Sequence, residues 1–195
     1  GIPAELLVVG GNSDVGDPVL TPEIGRLRSI AAEEGVAGHV TFTGRRSREL
    51  LKLYYSAADA FVTTPWYEPF GMTLIEAMAC GTPVVGARVG GIPYSASIDA
   101  RFLVSPNDPF ELAERLKDVC CSPRLAERFA SVGVRRAYAL FRWERVAHSL
   151  GVLYADADGR YSDRTWQWNA RWCFHGGAQL LLGDYDGDGR TDMAC

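Results

Sequence analysis

The sequence predicts an α/β domain of the Rossmann-like class, a parallel sheet with helices on both faces. Short apolar segments alternate with amphipathic segments along the first 155 residues, and several of the amphipathic segments begin with capping signals. Parallel strands need a crossover between them, which is usually a helix, so this alternation is typical of a parallel sheet. In such sheets ligands bind beyond the carboxyl ends of the strands. A ligand site is therefore expected in the loops that follow the strands.

The predicted strands are short apolar runs at residues 5–9, 40–44, 60–63, 84–86 and 102–104. The helices between them begin at a proline or after a Ser, Thr or Asp cap, and several end where glycine or proline follows. Asp108 and Glu111 form a predicted capping box. The helices are predicted over residues 22–34, 47–58, 72–80, 108–119, 123–132 and 143–154.

Composition excludes several classes of protein. With 195 residues, the chain is long enough for one well-buried domain with a further segment left over. The formal net charge of −4, with scattered Lys and Arg residues, argues against a nucleic-acid partner. No apolar run approaches the ~18 residues of a transmembrane helix. The five cysteines are not spaced as metal ligands.

The most informative stretch is residues 65–85, PWYEPFGMTLIEAMACGTPVV. Glu68 lies in the loop before a predicted helix, and Glu76 lies on that helix opposite its apolar arc. The arc comprises Met72, Leu74, Ile75, Met78 and Ala79. The helix N-terminus, with unpaired N–H groups and a positive dipole end, is a predicted anion site. Two interpretations of the carboxylates stay open: a solvated face with a helix-dipole partner, or acceptors for the hydroxyls of a bound anionic ligand.

Polar and glycine residues that follow the carboxyl ends of predicted strands are expected to converge on one rim. They are Gly10, Gly44, Arg45 and Glu68. For Gly10, an ordinary turn and a phosphate cradle both stay open. For Arg45, an exposed loop position and an anion contact both stay open. The neighbouring Tyr54 and Tyr55 are predicted to lie half in the core and half on the surface.

The order Glu68-Pro69-Phe70-Gly71, then Glu76, then AMACGTPVV at 77–85 and VGGIP at 89–93, resembles the donor-site signature of the family 4 retaining glycosyltransferases. The resemblance covers residues 1 to about 155 and implies a GT-B fold, in which two Rossmann-like domains face each other across a cleft. This chain resembles the C-terminal domain, which binds the nucleotide-diphospho-sugar donor. The implied partners are that donor and an N-terminal acceptor-binding domain that this sequence lacks. The implied location is cytoplasmic.

By this resemblance, Glu76 accepts hydrogen bonds from the ribose and Glu68 contacts hydroxyls of the donor sugar. The N–H groups of residues 71–73 lie close to the sugar and diphosphate, and residues 44–45 lie beside the base. The implied donor-binding set is Gly10, Gly44, Arg45, Glu68, Phe70, Gly71, Met72, Thr73 and Glu76. Glu68 and Glu76 are the catalytic candidates and act chiefly by orienting the donor. No metal or other cofactor is implied at this site.

Departures from the family pattern limit the expected activity. The family's donor domain begins one strand earlier and supplies an Arg and a Lys that clamp the diphosphate, whereas Gly1 starts after that region. Arg45 is the candidate substitute. Residues 94–101 replace the acidic residue and the glycine-containing turn that usually follow Pro93. The chain as given is therefore expected to bind a nucleotide sugar weakly and to transfer nothing.

Residues 156–195 are predicted to form a separate β-rich tail. Apolar residues occupy every second position from Trp166 to Phe174, namely Trp166, Trp168, Ala170, Trp172 and Phe174, and residues 180–183 form an apolar run, both typical of strands. Carboxylates then recur at positions 1, 3, 5 and 9 of a loop with glycine at position 6, a spacing that suits Ca²⁺. The predicted metal set is Asp184, Asp186, Asp188, Arg190 and Asp192. A solvated acidic turn is the alternative.

This aspartate-rich loop resembles an FG-GAP/VCBS-type calcium loop of secreted β-propeller repeats, of which one is present. The two parts of the chain therefore predict different compartments, cytoplasmic for the transferase and secreted for the tail. A truncated or chimeric reading frame explains both. Two other functions stay open: a non-catalytic, calcium-binding adhesion module and an inactive pseudo-transferase.

Overall fold

The computed structural model describes residues 3–96 and 102–146, together with the backbone of two strands at 181–183 and 192–194. Its contacts divide the chain into two units, Gly1–Phe141 and Arg142–Cys195. In the first unit strands and helices alternate, and every paired strand runs parallel to its neighbour. The predicted α/β class is therefore confirmed for this unit.

The first part of this unit is a pair of parallel strands with a helix between them. Its elements are β1 (Leu6–Val9), α1 (Pro22–Glu33), a 3₁₀ helix (Ala37–His39) and β2 (Val40–Gly44). Pro22 is the first residue of α1, and Gly35 follows its end with a φ of +71°. Both ends agree with the prediction, since proline suits the first turn and glycine the left-handed exit.

The second part contains a three-stranded parallel sheet in the order β3-β4-β5. Its elements are α2 (Arg48–Ala57), β3 (Phe61–Thr63), α3 (Met72–Ala79), β4 (Val84–Ala87), α4 (Ile92–Ser95), β5 (Leu103–Val104), α5 (Pro109–Cys121) and α6 (Pro123–Leu140). The predicted cap of α5 is present, because the Asp108 carboxylate accepts the Glu111 N–H at 2.8 Å.

Two apolar clusters cover the two faces of this sheet. Val84 lies in a cluster with Leu74 and Met78 of α3, whereas the next residue, Val85, lies in a cluster with Val119 and Phe129 of α5 and α6. Successive strand residues point to opposite faces, so the clusters lie on opposite sides of β4. Helices on both faces are thus confirmed. The site helix α3 is anchored by side chains that are fully buried.

The described strands of this unit are not joined into one hydrogen-bonded sheet, and the apolar run of β1 is not buried. The strands form two hydrogen-bonded groups, β1-β2 and β3-β4-β5. Leu6 and Leu7 of β1, which point to opposite faces, are 52% and 53% exposed. Among the described strands β1 pairs with β2 alone, so its apolar side chains lack the cover that flanking elements give β4.

Helix α6 is longer than predicted and continues from residue 132 to Leu140. Phe129, Gly133 and Ala137 recur every four residues and are all buried. A glycine at 133 would ordinarily signal a helix end, but here it is buried, in a helix that packs against α3. Close packing of the two helices keeps the chain helical through this glycine.

In the tail, β6 (Leu181–Gly183) and β7 (Asp192–Ala194) pair antiparallel, with Gly183 opposite Asp192. The strand predicted at 180–183 is therefore confirmed. The alternating aromatic segment, the boundary at 155, most of the helix predicted at 143–154 and the metal-ligand candidates from Asp184 to Arg190 lie outside the described residues. None of the described helices has the length and hydropathy needed to span a membrane.

Candidate active site

The start of α3 forms the centre of the candidate site. Gly71 is the N-cap, with φ +86° and ψ +47°, in the left-handed region that favours glycine. The helix begins at Met72, as predicted. The N–H groups of Met72 and Thr73 belong to the first turn, which has no intrahelical acceptors for them. Met72, a member of the predicted apolar arc, is 53% exposed and lies outside the buried core.

Glu68 folds back onto the start of the same helix. Its Oε1 atom accepts the Gly71 N–H at 2.8 Å and the Phe70 N–H at 3.2 Å. The carboxylate therefore lies at the positive end of α3, which is the helix-partner arrangement left open by the sequence. Both hydrogen bonds are accepted by Oε1 of Glu68, and Oε2 takes part in neither of them. The Gly71 N–H, assigned to the donor from the sequence, is bonded to Glu68 in this structure.

The glycine pair at 90–91 supports the Glu68 loop from behind. The Gly91 N–H donates to the Glu68 carbonyl oxygen at 2.8 Å. A Cβ atom on Gly91 would lie 2.1 Å from the Pro69 carbonyl oxygen, and one on Gly90 would lie 2.0 Å from that of Glu68. Residues 68–70 and residues 90–91, the two parts of the sequence signature, are therefore in direct backbone contact. The backbones are so close that only glycine fits at positions 90 and 91.

Phe70 and the buried Ser95 extend this support. The Ser95 hydroxyl donates to the Phe70 carbonyl oxygen. The Phe70 ring meets Phe141 edge to face, with 5.7 Å between the ring centroids. Arg136 of α6 donates from Nε to the Ser95 carbonyl oxygen at 3.0 Å. A hydrogen-bonded chain thus connects α6 through α4 to the Glu68 loop.

Glu76 lies further along α3 and is held by a tyrosine of the neighbouring helix. The Tyr55 hydroxyl donates to Glu76 Oε2 at 3.1 Å. Burial, and then the negative charge of Glu76, raise the pKa of Tyr55 well above its usual value. Sequence reasoning assigned Tyr55 only a packing position. Tyr55 follows Leu51 by four residues, so both side chains lie on the face of α2 that packs against the core cluster. This spacing is the one sequence signal that distinguishes Tyr55 from Tyr54.

Of the four residues expected on one rim, Gly10, Gly44 and Arg45 lie at the carboxyl ends of β1 and β2, whereas Glu68 lies at the start of α3. The Gly10 N–H donates to the Gly44 carbonyl oxygen at 3.0 Å. Gly44 has a φ of +78°, and a Cβ there would lie 2.6 Å from the Val15 backbone. Arg45 is exposed and its Nη2 lies 3.3 Å from Asp14 Oδ1. Such surface pairs contribute only ~0–1 kcal/mol, so Arg45 is easily redirected.

The predicted site residues therefore form two groups. One surrounds the start of α3 and the other lies at the ends of β1 and β2. Within the described ranges, hydrogen bonds and ion pairs connect residues inside each group but do not join one group to the other. The same part of the chain has no cluster of three or more His, Cys, Asp or Glu side chains that could hold a metal ion.

This combination of elements matches a known family. The family model described as "Glycosyl transferases group 1" matches residues 2–135, the range that carries both groups of site residues. The chain belongs to this family. The glycosyltransferase assignment drawn from the signature at residues 68–93 is thereby confirmed at the level of the family.

Individual glycosyltransferases support the same assignment. A D-inositol 3-phosphate glycosyltransferase of Streptomyces avermitilis is 37% identical over 152 residues, which cover 77% of this chain and 32% of that protein. Sucrose-phosphate synthase from Thermosynechococcus elongatus is 38% identical, with a TM-score of 0.69 over 78% of this chain and 38% of the synthase. HepE from Anabaena, solved in complex with UDP-glucose, is 26% identical, with a TM-score of 0.61 over 76% of this chain and 41% of HepE. The chain spans about a third of the length of the curated relatives it matches.

Proposed function

We propose that this chain is the donor-binding half of a family 4 retaining glycosyltransferase and binds a nucleoside-diphosphate sugar at the start of α3. The observation that carries this proposal is the placement of two acceptor carboxylates at one helix that follows a parallel strand, with Glu68 bonded at the N-terminus of α3 and Glu76 one turn further along it. Ligands of open parallel sheets bind at such positions. The similarity to HepE, which was solved with UDP-glucose, supports a uridine nucleotide as the first ligand to test.

The chemistry suits this arrangement. Breaking the bond between the sugar and the diphosphate places negative charge on the leaving group. The first-turn N–H groups of Met72 and Thr73 can donate to that charge, and one preorganised donor of this kind contributes ~3 kcal/mol. The helix end adds a partial positive charge. No divalent metal is needed at the diphosphate in this proposal.

The two glutamates act as acceptors that orient the donor. An ionised carboxylate only accepts hydrogen bonds, so it suits hydroxyl groups and repels phosphate oxygens. We assign Glu76 to the ribose hydroxyls and the second oxygen of Glu68 to hydroxyls of the sugar. The loop at residues 44–45 lies beside the base in this assignment. The proposal concerns binding of the donor, and the acceptor site is assigned to no residue of this chain.

Changing Glu68 to glutamine is expected to separate binding of the sugar from binding of the nucleotide. Glutamine keeps an oxygen that can accept the Gly71 N–H, so the loop stays in place, but the negative charge near the diphosphate is lost. We therefore expect UDP to bind equally well or more tightly, and UDP-glucose to lose about tenfold in affinity, the effect of one charged hydrogen bond. Isothermal titration calorimetry of the 195-residue chain with both ligands measures this.

The same titrations of the unchanged chain test the proposed function itself. UDP, GDP and ADP are compared, because the residues of the site do not identify the base. Failure of all three to bind would contradict the proposal. An equal loss of UDP and UDP-glucose in the glutamine variant would contradict the assignment of Glu68 to the sugar, while leaving the nucleotide site in place.

We also propose that the tail binds Ca²⁺ through the aspartates between β6 and β7. The pairing of Gly183 with Asp192 brings the two ends of the intervening segment together. The carboxylates at alternate positions of the intervening sequence are of the type that binds Ca²⁺.

Thermal unfolding in calcium and in chelator is expected to differ. Calcium at about 100 times its dissociation constant stabilises the bound form by ~2.7 kcal/mol, which corresponds to a rise in midpoint of roughly 10–20 °C for a small unit such as the one that contains the tail. Circular dichroism at the aromatic bands follows the tail, which contains Trp166, Trp168 and Trp172. The double variant Asp186→Asn, Asp188→Asn serves as the control without a shift. Identical midpoints for the unchanged chain in calcium and EGTA would remove the calcium site.

A further inference from the structure

Tyr55 is the residue of α2 that reaches the proposed nucleotide site. Its hydroxyl lies 3.1 Å from Glu76 Oε2, across the contact between α2 and α3. It is 8% exposed, whereas Glu76 is half-buried at the edge of the same core. The Tyr55 hydroxyl therefore connects a buried core residue to the Glu76 carboxylate, which we assign to the ribose.

The position of Tyr55 is itself restricted by contacts on two sides. Its ring meets Phe61 of β3 edge to face, with 5.5 Å between the ring centroids. Its carbonyl oxygen accepts the hydroxyl of the buried Thr82 at 2.5 Å. A phenol held by both its ring and its backbone presents its O–H in one direction. The partner, Glu76, has three rotatable side-chain bonds, so the hydrogen bond transfers the rigidity of the core to the carboxylate.

We propose that Tyr55 is a positioning residue for nucleotide recognition: its hydroxyl orients the Glu76 carboxylate so that the remaining lone pairs face the two ribose hydroxyls. This role rests on the proposed function of the site. A carboxylate has about four lone-pair positions on two oxygens, and Tyr55 occupies one of them on Oε2. The ribose diol donates two hydrogen bonds from adjacent carbons, which requires the carboxylate plane to be set before the ligand arrives. Orientation set in advance lowers the entropy cost of binding.

Changing Tyr55 to phenylalanine tests this role, because it removes the hydroxyl and keeps the ring contact with Phe61. The probes are UDP and 2′,3′-dideoxy-UDP, which lacks both ribose hydroxyls. We expect the variant to bind UDP three- to tenfold more weakly and to bind the dideoxy nucleotide as the unchanged chain does. A role limited to packing would lower both affinities by the same factor.

Two further variants make the test specific. Tyr54→Phe removes the neighbouring hydroxyl, which accepts from Arg46 Nε at 2.9 Å and has no contact with Glu76. It is expected to leave the ratio of the two dissociation constants at the value of the unchanged chain. In a chain that carries Glu76→Ala, the further change Tyr55→Phe is expected to have no effect on UDP affinity, because the acceptor is gone.

The outcomes separate this proposal from the proposed function. If the unchanged chain binds UDP and Tyr55→Phe either has no effect or weakens both nucleotides equally, Tyr55 does not position Glu76. The same holds if the unchanged chain binds UDP and dideoxy-UDP with equal affinity. If the unchanged chain binds no nucleotide, the proposed function fails first and the role of Tyr55 fails with it. If Tyr55→Phe weakens the binding of UDP but not of dideoxy-UDP, the result supports both the nucleotide site and the role of Tyr55.

Discussion

Replacing Glu76 by alanine is expected to weaken UDP binding by about 10- to 100-fold. Each hydrogen bond to a charged group contributes ~1.5–3 kcal/mol, and one such bond is equivalent to a factor of about 10 to 100 in affinity. The loss exceeds that of Tyr55→Phe, because alanine removes the acceptor itself rather than its orientation. The effect is expected on UDP and UDP-glucose alike, since both contain the ribose.

The control for this change is Glu114→Ala, which removes an exposed glutamate from α5. It alters the net charge equally and lies outside both groups of site residues. Calorimetry should give the same UDP affinity for this variant as for the unchanged chain. If Glu76→Ala and Glu114→Ala give equal affinities, Glu76 does not contact the nucleotide. The assignment of the ribose would then have to move to another residue.

Replacing Gly91 by alanine is expected to cause the largest loss of stability among the changes considered. The new Cβ would lie 2.1 Å from the Pro69 carbonyl oxygen and 2.8 Å from the Phe70 Cα. Both neighbours are backbone atoms, so the clash cannot be relieved by a side-chain rotation. Overpacking of this kind costs ~1–3 kcal/mol, or about 2–12 °C in the melting temperature of a chain of this size.

The matched control is Gly38→Ala in the 3₁₀ helix, where no atom lies within 4 Å of the added Cβ. Its melting temperature should stay within about 2 °C of the unchanged chain, because glycine-to-alanine changes at unstrained sites have small effects. Gly91→Ala should also weaken UDP-glucose binding, since the clash displaces the loop that carries Glu68. Equal melting temperatures for the two variants would show that the contact between residues 68–70 and 90–91 is not a close one in solution.

Local sequence signals predicted the elements that build the site. The glycine at 71 and the glycine–proline exit at 81–83 placed α3 within one residue at each end. The Asp108 cap was likewise predicted, although the Glu111 carboxylate reaches the Ser105 N–H at 2.6 Å rather than returning to Asp108. These signals succeed because caps and turns depend on residues a few positions apart, whose geometry the backbone alone dictates.

Longer-range features were missed for a physical reason. The end of α6 was predicted eight residues early, because Gly133 signals a stop locally but is buried within the folded helix. The exposure of Leu6 and Leu7 depends on which strands flank β1. The apolar pattern of β1 would be the same whether the strand were buried or exposed. Packing partners far apart in sequence decide both outcomes.

The sequence by itself determined the family, through a short ordered motif, and the alternation of strands and helices, through its apolar pattern and capping residues; it also singled out Glu68 and Glu76 as candidates. Only the tertiary structure showed that Glu68 bonds to the start of its own helix, and that Gly90 and Gly91 support its loop. Only the structure paired Tyr55 with Glu76, which are 21 residues apart. Such contacts depend on the packing of one element against another, and the residue types alone do not specify which side chains meet.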